Sequence, residues 1–222
     1  ENLAASVPGV RLRVSSLEPE SINEELLAVL MHPTICPHFH LPVQSGSDAV
    51  LRRMARRYSA AAVGKAVRDL RNIKTDPFIA ADVIAGFPGE TEQDFRETLE
   101  LITRCGFSRL HVFPFSRRPG TRANVMPGQV PSAVIKGRTR QLLEISEKLY
   151  DSYVRRWVGK EADLLLQEKQ ADGAWTGVSG NYLSLTAAGL PENESAPQAG
   201  GIVRVLIESW DGSTIKAGLP TG

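Results

Sequence analysis

The sequence predicts an α/β protein in two parts, with βα units feeding a parallel sheet over residues 1–157 and a small antiparallel β-barrel over residues 158–222. Three observations carry this. Up to Trp157, short apolar runs alternate with longer segments of helical periodicity, the pattern of βα units. After Gly159 the apolar period falls to two and turn residues recur between short segments. The charge balance also changes sign there, with 22 Lys+Arg against 17 Asp+Glu up to Trp157 and 4 against 8 beyond it. Any electrostatic footprint for nucleic acid therefore lies mainly in the first part.

Taken in order, Val10–Ser15 (VRLRVS), Phe39–Gln44 (FHLPVQ), Ile79–Gly86 (IAADVIAG) and Leu110–Phe115 (LHVFPF) are expected strands. Helices are expected at Asn23–His32, at Ala49–Ile73 with a break near Tyr58 and Ser59, and at Glu92–Cys105. The last is punctuated at both ends: Thr91 precedes three residues suited to a first turn, and Gly106 stands where a helix ends in left-handed backbone. A helix over about Pro131–Trp157 carries Ile135, Leu142, Leu143, Ile145, Leu149 and Val154 on one face and reads as a connector. The barrel strands are expected at Ala162–Gln167, Trp175–Val178, Tyr182–Thr186, Ile202–Ser209 and Thr214–Gly218, with 191–201 as a solvated loop.

Composition narrows the function classes. The longest apolar stretches, such as Val83–Phe87, fall far short of the roughly 20 residues that span a bilayer, and the first nine residues lack a secretory signal. A cytoplasmic protein is expected. Two cysteines, Cys36 and Cys105, form neither a disulfide scaffold nor a cluster-binding spacing. No phosphate loop, dinucleotide fingerprint or nucleophile elbow is present. His38 and His40 sit on one side of a strand but two ligands fall short of a metal site. His111, between Leu110 and Val112, reads as a core or barrel-lining group, so no metal site is expected.

In βα barrels the reacting groups gather at the C-terminal ends of the strands. Those ends carry Ser15, Ser16 and Glu18, then Gln44, Ser45, Gly46 and Ser47, then Gly86 to Glu90, and lastly Ser116 to Thr121. Serines and glycines there also make ordinary turns. Gln44 is more informative, because an amide closing an apolar strand needs partners once buried. The run Arg52, Arg53, Arg56, Arg57 reads as a solvated helix face. Arg117, Arg118 and Arg122, on a loop of the reacting side, are candidates for phosphate contacts. Trp175 and Tyr182 in the tail are candidates for base stacking or for core packing.

The segments Arg11–Pro19 (RLRVSSLEP), His40–Ser47 (HLPVQSGS), Asp82–Thr91 (DVIAGFPGET) and His111–Ser116 (HVFPFS) with Pro119–Thr121 (PGT) resemble the radical S-adenosylmethionine (SAM) methylthiotransferases, and Val158–Leu219 resembles their closing TRAM domain. Residues 35–40 (ICPHFH) and 106–113 (GFSRLHVF) are most similar to the branch acting on N6-threonylcarbamoyladenosine in tRNA. The resemblance implies the C-terminal part of a radical SAM partial (β/α) barrel followed by a TRAM-type antiparallel barrel. It implies SAM and two [4Fe–4S] clusters as cofactors, cleavage of SAM to a 5′-deoxyadenosyl radical, and transfer of a methylthio group to C2 of the adenine. By position, Ser16, Glu18, Gln44 and Ser45 would line the SAM site, Ile84 and Gly86 would match the adenine-contacting strand, and Phe115 would close the pocket. Glu90 falls one place later than the family's acidic residue and is given no ligand role.

Each cluster needs cysteine thiolates that Cys36 and Cys105 cannot supply, so the 222 residues are expected to be an inactive portion of the enzyme with no catalytic residue. Methylthiolation of isopentenyladenosine or of a ribosomal protein, and a non-catalytic RNA-binding module, stay open as alternatives. The expected partner is tRNA, with no membrane. Self-association through an exposed barrel edge near Val10–Ser15 is also expected.

Overall fold

A computed structural model describes residues 10–191 and 197–220. Part of the expected 191–201 loop, residues 192–196, lies outside them, as do the first nine residues. The first part builds β1 (His38–Gln44), β2 (Phe78–Ala85) and β3 (Arg109–Pro114) into a parallel sheet in sequence order. Between them run α1 (Glu24–Leu30) ahead of β1, α2 (Asp48–Arg53) and α3 (Ala60–Ile73) after it, and α4 (Glu92–Cys105) after β2. A short α5 (Arg122–Val125) and the long α6 (Ser132–Arg155) follow β3.

Local chemistry explains the boundaries. Asn23 and Ser59 cap α1 and α3 by accepting from Leu26 and Ala62 N–H. Thr91 and Asp94 form a reciprocal capping box on α4, which stops at Gly106 with φ 55°. The long helical pattern expected at Ala49–Ile73 divides at Met54–Ser59, where Ala55 takes φ 57°.

The strand expected at Val10–Ser15 does not form, so the sheet has three strands. Leu12 makes one isolated parallel bridge to Ile35, and its N–H and C=O pair with Thr34 and Cys36. The neighbouring edge of β1 contains Pro42, which has no N–H to donate and fits an edge strand. Arg11 and Arg13 draw the segment toward the tail instead: Arg11 donates to the carbonyls of Asp163 and Val178, and the Arg13 guanidinium lies 3.9 Å from the centre of the Tyr182 ring. Ser16, at φ 58°, then ends the extended run. The free edge expected there is therefore not a strand edge. On the far side, Ser146 of α6 both donates to and accepts from the backbone of Leu110 in β3.

Strand alternation gives the sheet two distinct faces. Phe39, Leu41, Val43, Ile79, Ala81, Val83 and Leu110 pack against Val67 and Leu70 of α3, Phe95 and Leu101 of α4 and Leu142 of α6, forming the main core. The opposite face carries His38, His40, Phe78, Ala80, Asp82, Ile84 and His111, while Gln44 ends β1 beyond a register irregularity that follows Leu41.

The tail is a closed five-stranded barrel in the order β4-β5-β6-β8-β7, comprising β4 (Glu161–Lys169), β5 (Trp175–Ser179), β6 (Ser184–Ala187), β7 (Ile202–Trp210) and β8 (Ile215–Gly218). Four of its pairings are antiparallel as expected, but β6 and β8 pair in parallel, which closes the ring. Closure leaves no free edge. Its core is continuous with Tyr153 and Val154 of α6 and with Phe78 and Ala80 of β2. The barrel thus seats on the lower half of the second sheet face. Tyr153 fastens it, donating to the Asp76 carbonyl and accepting from the Asn181 amide. α6 ends at Arg155 and β4 starts at Glu161, so the two parts join through a five-residue turn. No helix among the described residues is long and apolar enough to cross a membrane.

Candidate functional site

The upper half of that second face and the loops above it hold the sequence-picked residues. Ser16 and Gln44 are two of the few non-glycine residues with left-handed backbone, at φ 58° and 64°. Such backbone costs of order 1–3 kcal/mol and persists where surrounding structure imposes it, often at ligand sites. Gln44 is buried, yet its amide makes no hydrogen bond among the described residues. Glu18 accepts from Arg56 through Oε1 at 3.3 Å, while its Oε2 is buried without a partner. An orphaned carboxylate oxygen and a free amide are an acceptor and a donor–acceptor group that suit a polar ligand carrying an ammonium and hydroxyls.

Ser45 is different. It is wholly buried, and its hydroxyl bonds the Thr98 hydroxyl and accepts from Ser47 N–H. The hydroxyl holds the loop; it has no valence turned outward. Gly86, at φ 80°, is required by packing, since a Cβ there would strike Ile135 of α6. Ile84 lies half-buried beside Phe113, and Phe115 packs edge-on to Phe87 with ring centroids 5.4 Å apart.

Glu90 acts on the backbone rather than on a ligand. Its Oε2 accepts from Gly86 N–H at 2.7 Å and from Arg138 at 2.7 Å, tying the loop after β2 to α6. Burial pushes its carboxyl above the usual range, against the pull of the Gly86 and Arg138 hydrogen bonds.

Sequence reasoning missed a polar cluster on the middle of the face. Asp82 Oδ1 lies 2.7 Å from His40 Nε2 and 3.3 Å from His111 Nδ1, and Ser16 Oγ lies 3.4 Å from His40 Nδ1. A signal existed: Asp82 is the one charge in β2, and both histidines occupy positions of their strands whose neighbours are apolar.

The arginine loop is solvent-facing. Arg117 donates to Gln129 at 2.9 Å, and Arg118 and Arg122 are exposed without acidic partners among the described residues. Trp175 is half-buried against the tail core. Tyr182, at φ 69°, is 52% exposed but has the Arg13 guanidinium on its ring and His38 at a 4.6 Å centroid distance.

Cys36 and Cys105 are both buried, Cys105 within the main core, where burial raises its thiol pKa. Two inward-facing thiols do not fit an iron–sulfur cluster, which needs up to four thiolates converging on one point.

The sheet has the fold of a radical SAM protein. The Radical SAM superfamily matches residues 2–102, and coproporphyrinogen III oxidase of Escherichia coli, a radical SAM enzyme, shares the fold at TM-score 0.54 and 16% identity over 77% of this chain and 44% of its own. Among curated proteins the chain is similar to the radical SAM methylthiotransferases. It is 40% identical to the threonylcarbamoyladenosine tRNA methylthiotransferase MtaB of Treponema pallidum over 90% of its length. It is 40% identical to the tRNA-2-methylthio-N(6)-dimethylallyladenosine synthase of Thermobifida fusca over 71%. The chain spans 40% and 32% of those two relatives.

Proposed function

We propose that this chain is one part of a cytoplasmic tRNA methylthiotransferase that modifies C2 of N6-threonylcarbamoyladenosine beside the anticodon. The observation that carries the reading is the match to MtaB of Treponema pallidum across both the sheet and the tail barrel. Ser16, Glu18 and Gln44 hold SAM, with Glu18 Oε2 and the Gln44 amide taking its polar groups. Ile84 would contact its adenine, and Phe115 with Phe87 would close the apolar side. Bound SAM supplies the methyl group and the radical equivalents. The cysteines of this chain do not fit a cluster.

Arg117, Arg118 and Arg122 contact tRNA phosphates, which position without reading sequence. Trp175 and Tyr182 are the tail's base-stacking candidates. The Thermobifida relative supports a second reading, in which the modified nucleoside is dimethylallyladenosine.

The test compares tRNA nucleosides, by mass spectrometry, from cells with and without the gene. Loss of the 2-methylthio form of N6-threonylcarbamoyladenosine is expected. Loss of the dimethylallyl form alone selects the second reading, and an unchanged profile rejects both.

A further inference from the structure

We propose that His40, Asp82 and His111 form a binding site for a borderline divalent metal ion of the zinc class. The three side chains come from adjacent strands of one parallel sheet. Asp82 and His111 are paired across β2 and β3, and His40 pairs with Ala80, one step along the same face. Their ligand atoms all lie within 4.8 Å of one another. Metal–nitrogen and metal–oxygen bonds of about 2.0–2.2 Å put neighbouring ligands in a tetrahedron about 3.3 Å apart. The Asp82–His111 separation is already 3.3 Å. The His40–Asp82 separation of 2.7 Å is that of a hydrogen bond and widens when a metal ion replaces the shared proton.

The outer shell fits as well. Ser16 Oγ lies against His40 Nδ1, which leaves Nε2 as the ligating nitrogen, the usual arrangement for a metal-bound imidazole. Two imidazoles and one carboxylate select zinc, cobalt or ferrous iron over magnesium or calcium. His40 and Asp82 are mostly buried, at 17% and 20% side-chain exposure, while His111 is 49% exposed. The fourth coordination position therefore opens on the His111 side, toward water or an incoming oxygen or nitrogen donor. The inference is independent of the methylthiotransferase reading, since its test needs neither SAM nor tRNA.

The experiment uses the untagged, chelator-treated chain, titrated with zinc by calorimetry and with cobalt(II) by visible absorption. One ion per chain is expected, with the ligand-field band of four- or five-coordinate cobalt and no thiolate charge-transfer band. His111→Ala, at a half-exposed position that spares folding, and Asp82→Asn should each weaken binding on the order of 100-fold. Ser16→Ala should weaken it up to about 10-fold, as outer-shell changes do. His32→Asn should leave it unchanged. Equal affinity in the parent chain and His111→Ala, a thiolate band, or no bound cobalt each overturns the proposal.

Discussion

Ser47, in the loop after β1, donates its hydroxyl to Asp94 Oδ1 at 2.5 Å and so joins the first loop of the site to the capping box of α4. Oδ2 of the same carboxylate accepts from Thr91 N–H and Thr91 Oγ1 and faces Arg53 at 3.4 Å, while Arg53 also donates to the Gly89 carbonyl. One carboxylate therefore fixes the ends of β1 and β2 relative to each other. Burial alone would raise its pKa, but the bonds from Ser47 and Thr91 and the Arg53 charge prevail and hold it low. The stability this contributes is present above the ordinary carboxylate pKa of about 4 and is lost as pH falls through the lower folded value. Asp94→Asn should cost roughly 1–3 kcal/mol at neutral pH and flatten the acid limb of stability against pH, measured by urea unfolding.

His38 sets a second pH dependence. It is buried against Phe78 and Tyr182, and its Nδ1 has no partner. Burial first, then Arg13, His40 and His111, pull its pKa to about 4. The folded state keeps the ring neutral while the unfolded chain protonates near 6.5. Stability is thus full above that pH and falls between about 6.5 and 4, by on the order of 2–3 kcal/mol in all. His38→Gln should abolish this decline in thermal melts across the window.

The Glu90–Arg138 pair is a buried bridge, with 1% and 8% side-chain exposure. Glu90→Gln leaves the buried guanidinium with only the exposed Glu92, 3.2 Å away, as counter-charge and should cost about 3 kcal/mol. Adding Arg138→Met should recover part of that loss, because the stranded charge is gone. A denaturant double-mutant cycle measures both.

Gln44 should separate stability from binding. Gln44→Gly relieves left-handed backbone and should leave the fold as stable or more so by up to about 1 kcal/mol. The same change removes the free amide and should weaken SAM binding about tenfold, read by calorimetry. Weaker folding with unchanged binding would assign Gln44 a purely structural role.

Replacing Arg117, Arg118 and Arg122 by Ala should weaken tRNA binding whatever its sequence and lower the salt slope by about one per lost phosphate contact. Filter binding at several salt concentrations gives that slope. An unchanged slope places the tRNA surface elsewhere.

The sequence alone determined the order of βα units, the capped helix Glu92–Cys105, the shift to barrel grammar after Gly159 and the family resemblance, because helix and strand periods, caps and motif strings are local properties of the chain. It also singled out Gln44, an amide closing an apolar strand, and Ser16, just after the first expected strand. Tertiary structure decided the rest. Whether residues 10–15 pair depends on Pro42 in the neighbouring edge and on the tail that attracts Arg11 and Arg13. Ser45 turns inward because Thr98 is there to receive it. Asp82 meets His40 and His111 across 42 and 29 residues of chain, and each looks ordinary in its own strand. Only the register of three parallel strands puts them within bonding distance, and register is fixed by long-range packing that no local pattern encodes.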